Sequence, residues 1–154
     1  MRRRGFEIVS DKFIDNVLKE DIILPKRATN NSAGYDFFLP KDLNVLPQET
    51  VAIKTYIKAY MEEDEVLLLY IRSSLGVKKN LMLKNQTGVI DSDYYNNVDN
   101  DGNIIVNLIN IGNEEVKLIQ DERFIQGIFV KYLKVDDEDF PRKKRLGGLG
   151  STLL

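Results

Sequence analysis

Residues 50–59 alternate. Val51, Ile53, Thr55, Ile57 and Ala59 share one face, and Lys54, Tyr56 and Lys58 lie on the other. A period of two predicts a strand with one buried face. Residues 66–71 form a continuous apolar run, the pattern of a strand covered on both sides. Residues 102–111 put Ile104, Val106 and Leu108 on one face and Ile105, Asn107 and Ile109 on the other. Residues 125–135 alternate again through Ile128, Val130 and Tyr132, and residues 6–9 predict a further short strand. Turn residues punctuate the runs at Leu39-Pro40, Leu46-Pro47-Gln48-Glu49, Asp101-Gly102-Asn103 and Ile111-Gly112-Asn113. Many short strands at this spacing predict an all-β sandwich or barrel. The single helical signal is residues 13–19, where Ile14, Val17 and Leu18 suit one or two turns.

The pattern stops near residue 136. An acidic stretch at 136–139 is followed by Arg142-Lys143-Lys144-Arg145 and then Leu146-Gly147-Gly148-Leu149-Gly150-Ser151-Thr152. A glycine-rich segment cannot pack a core by itself, so it reads as a mobile tail unless something ties it down. The expected organisation is one β domain over residues 1–140 with an arm over 141–154.

Composition narrows the chemistry. The 154 residues carry 22 Lys+Arg against 24 Asp+Glu, a net charge of −2, and contain no Cys and no His. Thiolate and imidazole catalysis, disulfides and Cys- or His-ligated zinc are thereby excluded. Acid–base work must fall to carboxylates, Lys, Tyr or water, and a divalent metal should be a hard, oxygen-ligated ion such as Mg²⁺. No apolar run nears the roughly 20 residues of a membrane span. The basic start, Met1-Arg2-Arg3-Arg4, leads into no signal-peptide core. A cytoplasmic protein is expected. The near-neutral charge predicts neither a nucleic-acid nor a membrane partner.

Four polar segments can carry chemistry. Ala33-Gly34-Tyr35-Asp36 is a Gly turn presenting a carboxylate. Arg72-Ser73-Ser74-Leu75-Gly76 follows the most apolar strand and offers a guanidinium fork, hydroxyls and turn amides to phosphate. The stretch from Asn85 to Tyr94 holds an Asn able to read a base edge and a Tyr able to pack on a sugar. Within it, Asp91 follows Val89-Ile90 and is the candidate general base. The tail, with cations, glycines and hydroxyls, suits a phosphate cradle, but lacks the Gly-Lys-Ser/Thr order of a Walker loop. Together they suggest a nucleoside triphosphate site served by Mg²⁺.

In order, these segments resemble the motif series of the homotrimeric dUTPases. The five motifs are Ala33-Gly34-Tyr35-Asp36; Arg72-Ser73-Ser74-Leu75-Gly76; Asn85 to Tyr94 around Gly88-Val89-Ile90-Asp91; Arg123-Phe124-Ile125-Gln126; and Gly147-Gly148-Leu149-Gly150-Ser151-Thr152. The resemblance implies a jelly-roll-like fold, a homotrimer with shared active sites, and a C-terminal arm closing over a neighbouring site. It implies hydrolysis of dUTP to dUMP and diphosphate by water attack at the α-phosphorus. Asp91 resembles the residue that activates the water, and Asp36 the carboxylate that holds Mg²⁺ through waters. Arg72, Ser73, Ser74 and Gln126 resemble phosphate contacts, joined by Lys144 or Arg145 and by Gly150, Ser151 and Thr152 of the arm. Asn85, Gly88, Val89 and Ile90 resemble the uracil reader, Ile105 a wall of its pocket, and Tyr94 the ring that leaves no space for a 2′-hydroxyl.

The chain departs from the pattern in places. Ile71 stands where a Pro is usual before the motif Arg, and Asn96 replaces a Gly. Leu149 replaces a stacking Phe, and residues 98–103 form a small insertion beside the base hairpin. Two alternatives follow from the same resemblance. One is a dCTP deaminase of the same superfamily, against which the Gly-Val-Ile-Asp hairpin argues. The other is a regulatory switch that binds a protein through residues 95–103.

Overall fold

The computed structural model describes residues 2–137 and 147–148. Its strands are β1 (Gly5–Ile8), β2 (Lys26–Arg27), β3 (Tyr35–Phe38), β4 (Leu43–Val45), β5 (Thr50–Lys54) and β6 (Ile57–Tyr60). They continue as β7 (Glu65–Ile71), β8 (Leu81–Leu83), β9 (Gly88–Asp91), β10 (Ile105–Asn110), β11 (Val116–Leu118) and β12 (Arg123–Lys131). One α-helix, α1 (Ser73–Lys79), and three short 3-10 turns occur among the described residues.

Every strand pairing is antiparallel. A five-stranded sheet runs β2-β3-β12-β7-β9, a three-stranded one β5-β10-β8, and the pairs β1-β6 and β11-β4 complete the set. One apolar cluster joins them: Phe37, Leu67, Leu69 and Ile125 from the large sheet meet Leu81, Leu83, Val106 and Leu108 from the smaller. β10 keeps its alternation, with Val106, Leu108 and Asn110 buried and the intervening residues half-buried. Asn110 can be fully buried because its amide is satisfied. Nδ2 donates to Val45 O (3.0 Å) and Glu114 O (2.7 Å), and Oδ1 accepts from Gly112 N (2.9 Å). This is the all-β architecture that the strand spacing predicts, and the jelly-roll-like fold that the family resemblance implies.

Three expectations change. Residues 13–19 do not form the expected helix. Two 3-10 turns, Asp11–Phe13 and Lys19–Asp21, take its two ends, residues 14–18 between them are irregular, and Phe13, Ile14 and Val17 pack on the core. Residues 50–59 are not one strand. The chain turns at Tyr56 (φ 59°), leaving β10 for β1, so Thr55 through Ala59 are all buried and the two-face pattern ends at Lys54. The bend is held by Thr55 Oγ1 to Ile104 O (2.8 Å) and Tyr56 N to Asn103 Oδ1 (2.9 Å). Finally, the Arg72 motif is not a simple turn. Ser73 and Ser74 open α1, which ends at Asn80 in the left-handed conformation (φ 53°), with Lys78 and Lys79 in its last turn.

Candidate active site

β9 forms the edge of the large sheet beside β7, with Gly88 opposite Leu69 and Asp91 opposite Val66. The chain then enters a 3-10 turn, Ser92–Tyr94. Across from it runs β10. Between them lies a cavity of about 320 Å³. Asn85, Gly88, Val89, Ile90, Asp91, Tyr94 and Ile105 all line it, so every described residue expected at base, sugar or water reaches one space. Asn85 is presented from the β8–β9 turn, where Gln86 takes φ 65°. Asp91 is half-buried at the strand end.

The cavity has walls that sequence reasoning missed. Asp99, Asn100 and Asn107 also line it. Asn107 sits on the half-buried face of β10, and strand alternation signals it. Asp99 and Asn100 belong to the insertion after Tyr94, which carries no periodic signal. Asn96, just before it, adopts φ 55°, the left-handed conformation that lets it stand for a Gly. Gly148 reaches the same cavity, and Gly147 lies so close to Asp99 that a Cβ on it would overlap the carboxylate. The start of the glycine-rich tail therefore rests on the cavity of its own chain. Lys144, Arg145, Leu149, Gly150, Ser151 and Thr152 lie outside the described residues.

The expected phosphate and metal residues gather elsewhere. Asp36 on β3 stands opposite Gln126 on β12, and Gln126 stands opposite Tyr70 on β7. The Asp36 carboxylate, with its side chain 8% exposed, forms an ion pair with Arg72 Nε at 3.2 Å and accepts a hydrogen bond from Arg123 Nη1 at 3.3 Å. Arg123 is a member of this cluster that sequence reasoning quoted without assigning it a role. Ser73 and Ser74, exposed on the first turn of α1, follow Arg72 directly.

Asp91 and Arg72 stand at opposite ends of one strand, while the cavity extends along it as far as Gly88 and Leu69. Asp91 pairs with Val66 near the start of β7, while Arg72 follows its last residue, Ile71. The six positions from Val66 to Arg72 span roughly 20 Å at about 3.3 Å per residue. None of Asp36, Arg72, Ser73, Ser74 or Gln126 lines the cavity at Asp91. One chain thus carries a pocket at Asp91 and an ion-paired cluster at Asp36 that share no residue.

The dUTPase family model matches residues 20–153. The chain belongs to the dUTPase family. It is 44% identical over 153 residues to the deoxyuridine 5′-triphosphate nucleotidohydrolase of Lactococcus lactis, covering 99% of each chain. It is 35% identical over 146 residues to that of Hydrogenobaculum, covering 92% of this chain and 97% of the relative. Among solved structures, the dUTPase of Streptococcus mutans superposes with a TM-score of 0.76 at 41% identity, covering 86% of this chain and 99% of that one. All five dUTPase motifs fall within the matched span. No helix among the described residues is long and apolar enough to cross a membrane.

Proposed function

We propose that this dUTPase-family enzyme hydrolyses dUTP to dUMP and diphosphate at sites assembled between copies of the chain. The observation that carries the reading is the separation just described. Asp91 and its pocket hold a nucleoside, Arg72, Arg123 and Gln126 suit phosphates, none of these three lines the pocket, and roughly 20 Å of strand separates Asp91 from Arg72 in one chain. A second copy has to bring its phosphate cluster to the first copy's Asp91. A closed ring satisfies this for every site, since a heterologous interface that closes leaves no cluster unused, and the family resemblance implies a ring of three. This homotrimer with shared sites accounts for both halves of the chain's chemistry.

In this reading uracil enters between β9 and β10. Asn85 presents one donor and one acceptor, and the backbone of Val89 and Ile90 fixes the remaining edge. Cytosine reverses part of that pattern and leaves buried groups unpaired. Tyr94 packs against the deoxyribose. Asp91 accepts a proton from a water aligned with the α-phosphorus. The new water-oxygen bond to that phosphorus forms as the bond to the bridging oxygen of the β-phosphate breaks, and diphosphate leaves with the electron pair. Arg72 and the α1 hydroxyls of a neighbouring copy meet the charge that develops on it.

The donors present fit Mg²⁺ in one limited way. Asp36 is a hard oxygen donor, yet two guanidiniums already flank it, and no group of three or more carboxylates among the described residues is placed to hold a metal ion. Such a site suits an ion held chiefly by substrate phosphates, with Asp36 touching its waters. When bound, the ion supplies neutralisation of the triphosphate charge. Asp36 itself orients Arg72 and Arg123.

The deciding experiment is diphosphate release from dUTP, dCTP, dTTP and UTP, with and without EDTA, by native protein and by Asp91→Asn. Native protein turns over dUTP selectively and loses activity in EDTA. Asp91→Asn loses about 10²–10⁴-fold in kcat, the size of a general-base contribution. Ammonia from dCTP would establish the deaminase instead, and full turnover by Asp91→Asn would remove Asp91 from the mechanism.

A further inference from the structure

The insertion after Tyr94 is a built structure. Tyr94 Oη donates to Asn103 O at 2.9 Å and accepts from Asn100 Nδ2 at 2.7 Å. Asn100 Nδ2 also reaches Asn103 O at 3.2 Å, while its Oδ1 accepts from Asn97 Nδ2 (2.8 Å) and Gly102 N (3.1 Å). Asn97, 7% exposed, closes the set. Its Nδ2 donates to Tyr94 O (2.8 Å), and its Oδ1 accepts the backbone N–H of Asp99 and Asn100, both at 3.1 Å. Each amide nitrogen faces acceptors and each amide oxygen faces donors, so both asparagines are held in one orientation.

This network is tied to the body of the fold. Asp101 Oδ2 accepts from Lys58 Nζ (3.0 Å), Ser10 N (2.7 Å) and Ser10 Oγ (3.0 Å). Lys58 Nζ also donates to Asn96 Oδ1 at 2.6 Å, and Tyr95 Oη donates to Glu7 Oε2 at 2.6 Å. Burial and that last bond push the Tyr95 hydroxyl up to about 12, so it stays a donor through the neutral range. Anchors on β1, β6 and the segment after β1 therefore immobilise the loop from behind. Its front, Asp99 and Asn100, faces the cavity beside Tyr94.

A ring excludes a hydroxyl group only if it cannot swing aside. The 3-10 turn that carries Tyr94 has no side-chain cap and offers little rigidity of its own. What fixes the phenol is its oxygen, clamped between Asn100 and Asn103. We propose that Asn100 is a positioning residue for sugar selection, holding Tyr94 so that a ribonucleotide meets a wall that does not yield. The inference rests on the reading of the cavity as the deoxyuridine site.

The test compares kcat/KM for dUTP and UTP in native protein, Asn100→Ala, Tyr94→Phe and the double variant. Asn100→Ala lowers the preference for dUTP over UTP by about tenfold, within the range that a single pocket contact supplies, chiefly through a lower KM for UTP. Tyr94→Phe removes the bond from Asn100 together with the one to Asn103 O, leaves the other amide bonds of the loop in place, and moves the ratio in the same direction. The double variant adds nothing beyond the larger single effect, because both break one clamp. An unchanged ratio in folded Asn100→Ala, or equal losses on both substrates, overturns the proposal. Should Asn100→Ala not fold, an unchanged ratio in Tyr94→Phe overturns it alone. Native protein inactive on dUTP would instead refute the underlying assignment of the cavity.

Discussion

Gly34 lies where Gln126 needs the room. A Cβ there would overlap Gln126 Oε1 and stand 3.2 Å from Gln126 Cβ and Cδ. The amide end of Gln126 is a flexible tip that can rotate away, so a methyl at Gly34 displaces the glutamine more readily than the backbone. Gly34→Ala is therefore expected to fold near the native denaturation midpoint while KM for dUTP rises several-fold. Gln126→Ala should give a similar KM, and the double variant should be no worse than either single variant, since both remove one contact. Steady-state kinetics beside a urea melt separates this from general destabilisation. The motif glycine was legible in the sequence, but its reason was not. The residue it makes room for lies 92 positions away, across the β3–β12 pairing. Asp99 and Asn100 were hidden for a different reason. Hydrogen bonds to Asn97, Tyr94 and Asn103, all within six residues, make them cavity walls, and such bonds follow no hydrophobic period.

Strands whose two faces meet different surroundings were readable; those that change sheets were not. β10 and the centre of β7 appear where alternation and the apolar run predict them. β5 and β6 read as one strand because the sequence keeps alternating through a bend that only Asn103 and Ile104 explain. α1 has seven residues, one a glycine and one a valine, too short and too irregular for a helical period. β7 also begins with a buried acid that alternation does not foresee. Glu65 is 3% exposed, and Arg4 Nε lies 2.9 Å from both of its carboxylate oxygens. The bond to Arg4 depresses its pKa against the opposing effect of burial. Nearby, the Lys131 bond at 2.6 Å depresses Asp64. For a depressed carboxylate the stabilisation is complete above the unfolded value, about 4.3 for Glu, and is lost as pH falls through the lower folded value. Arg4→Ala should accordingly lower the urea midpoint at pH 7, and the gap to native protein should close below about pH 4. A gap independent of pH would show that Arg4 acts by packing alone.

In the proposed reading the molecule as a whole divides its chemistry between copies, and that division can be tested by mixing. In the single chain Gly147 and Gly148 rest on their own cavity, against Asp99 and Tyr94. The family resemblance instead implies that an arm crosses to a neighbour. Two defective chains distinguish these arrangements. One is Asp91→Asn with its arm intact; the other ends at residue 140 but keeps Asp91. Each alone should be nearly inactive, the first for want of a base and the second for want of closure over the triphosphate. Denatured together in equal amounts and refolded, they assort at random into mixed trimers. If arms cross between copies, an intact Asp91 pairs with an intact arm at about a quarter of all sites, and roughly that share of native activity returns. If each arm serves its own chain, no site in any mixed trimer has both, and activity stays at the sum of the two parents. The phosphate cluster supplies an independent version of the same argument. Arg72→Ala mixed with Asp91→Asn should also regain about a quarter of native activity, because those residues lie roughly 20 Å apart in one chain and can meet only between copies. Recovery in the second mixture without recovery in the first would mean that the phosphate cluster crosses a subunit boundary and the arm does not.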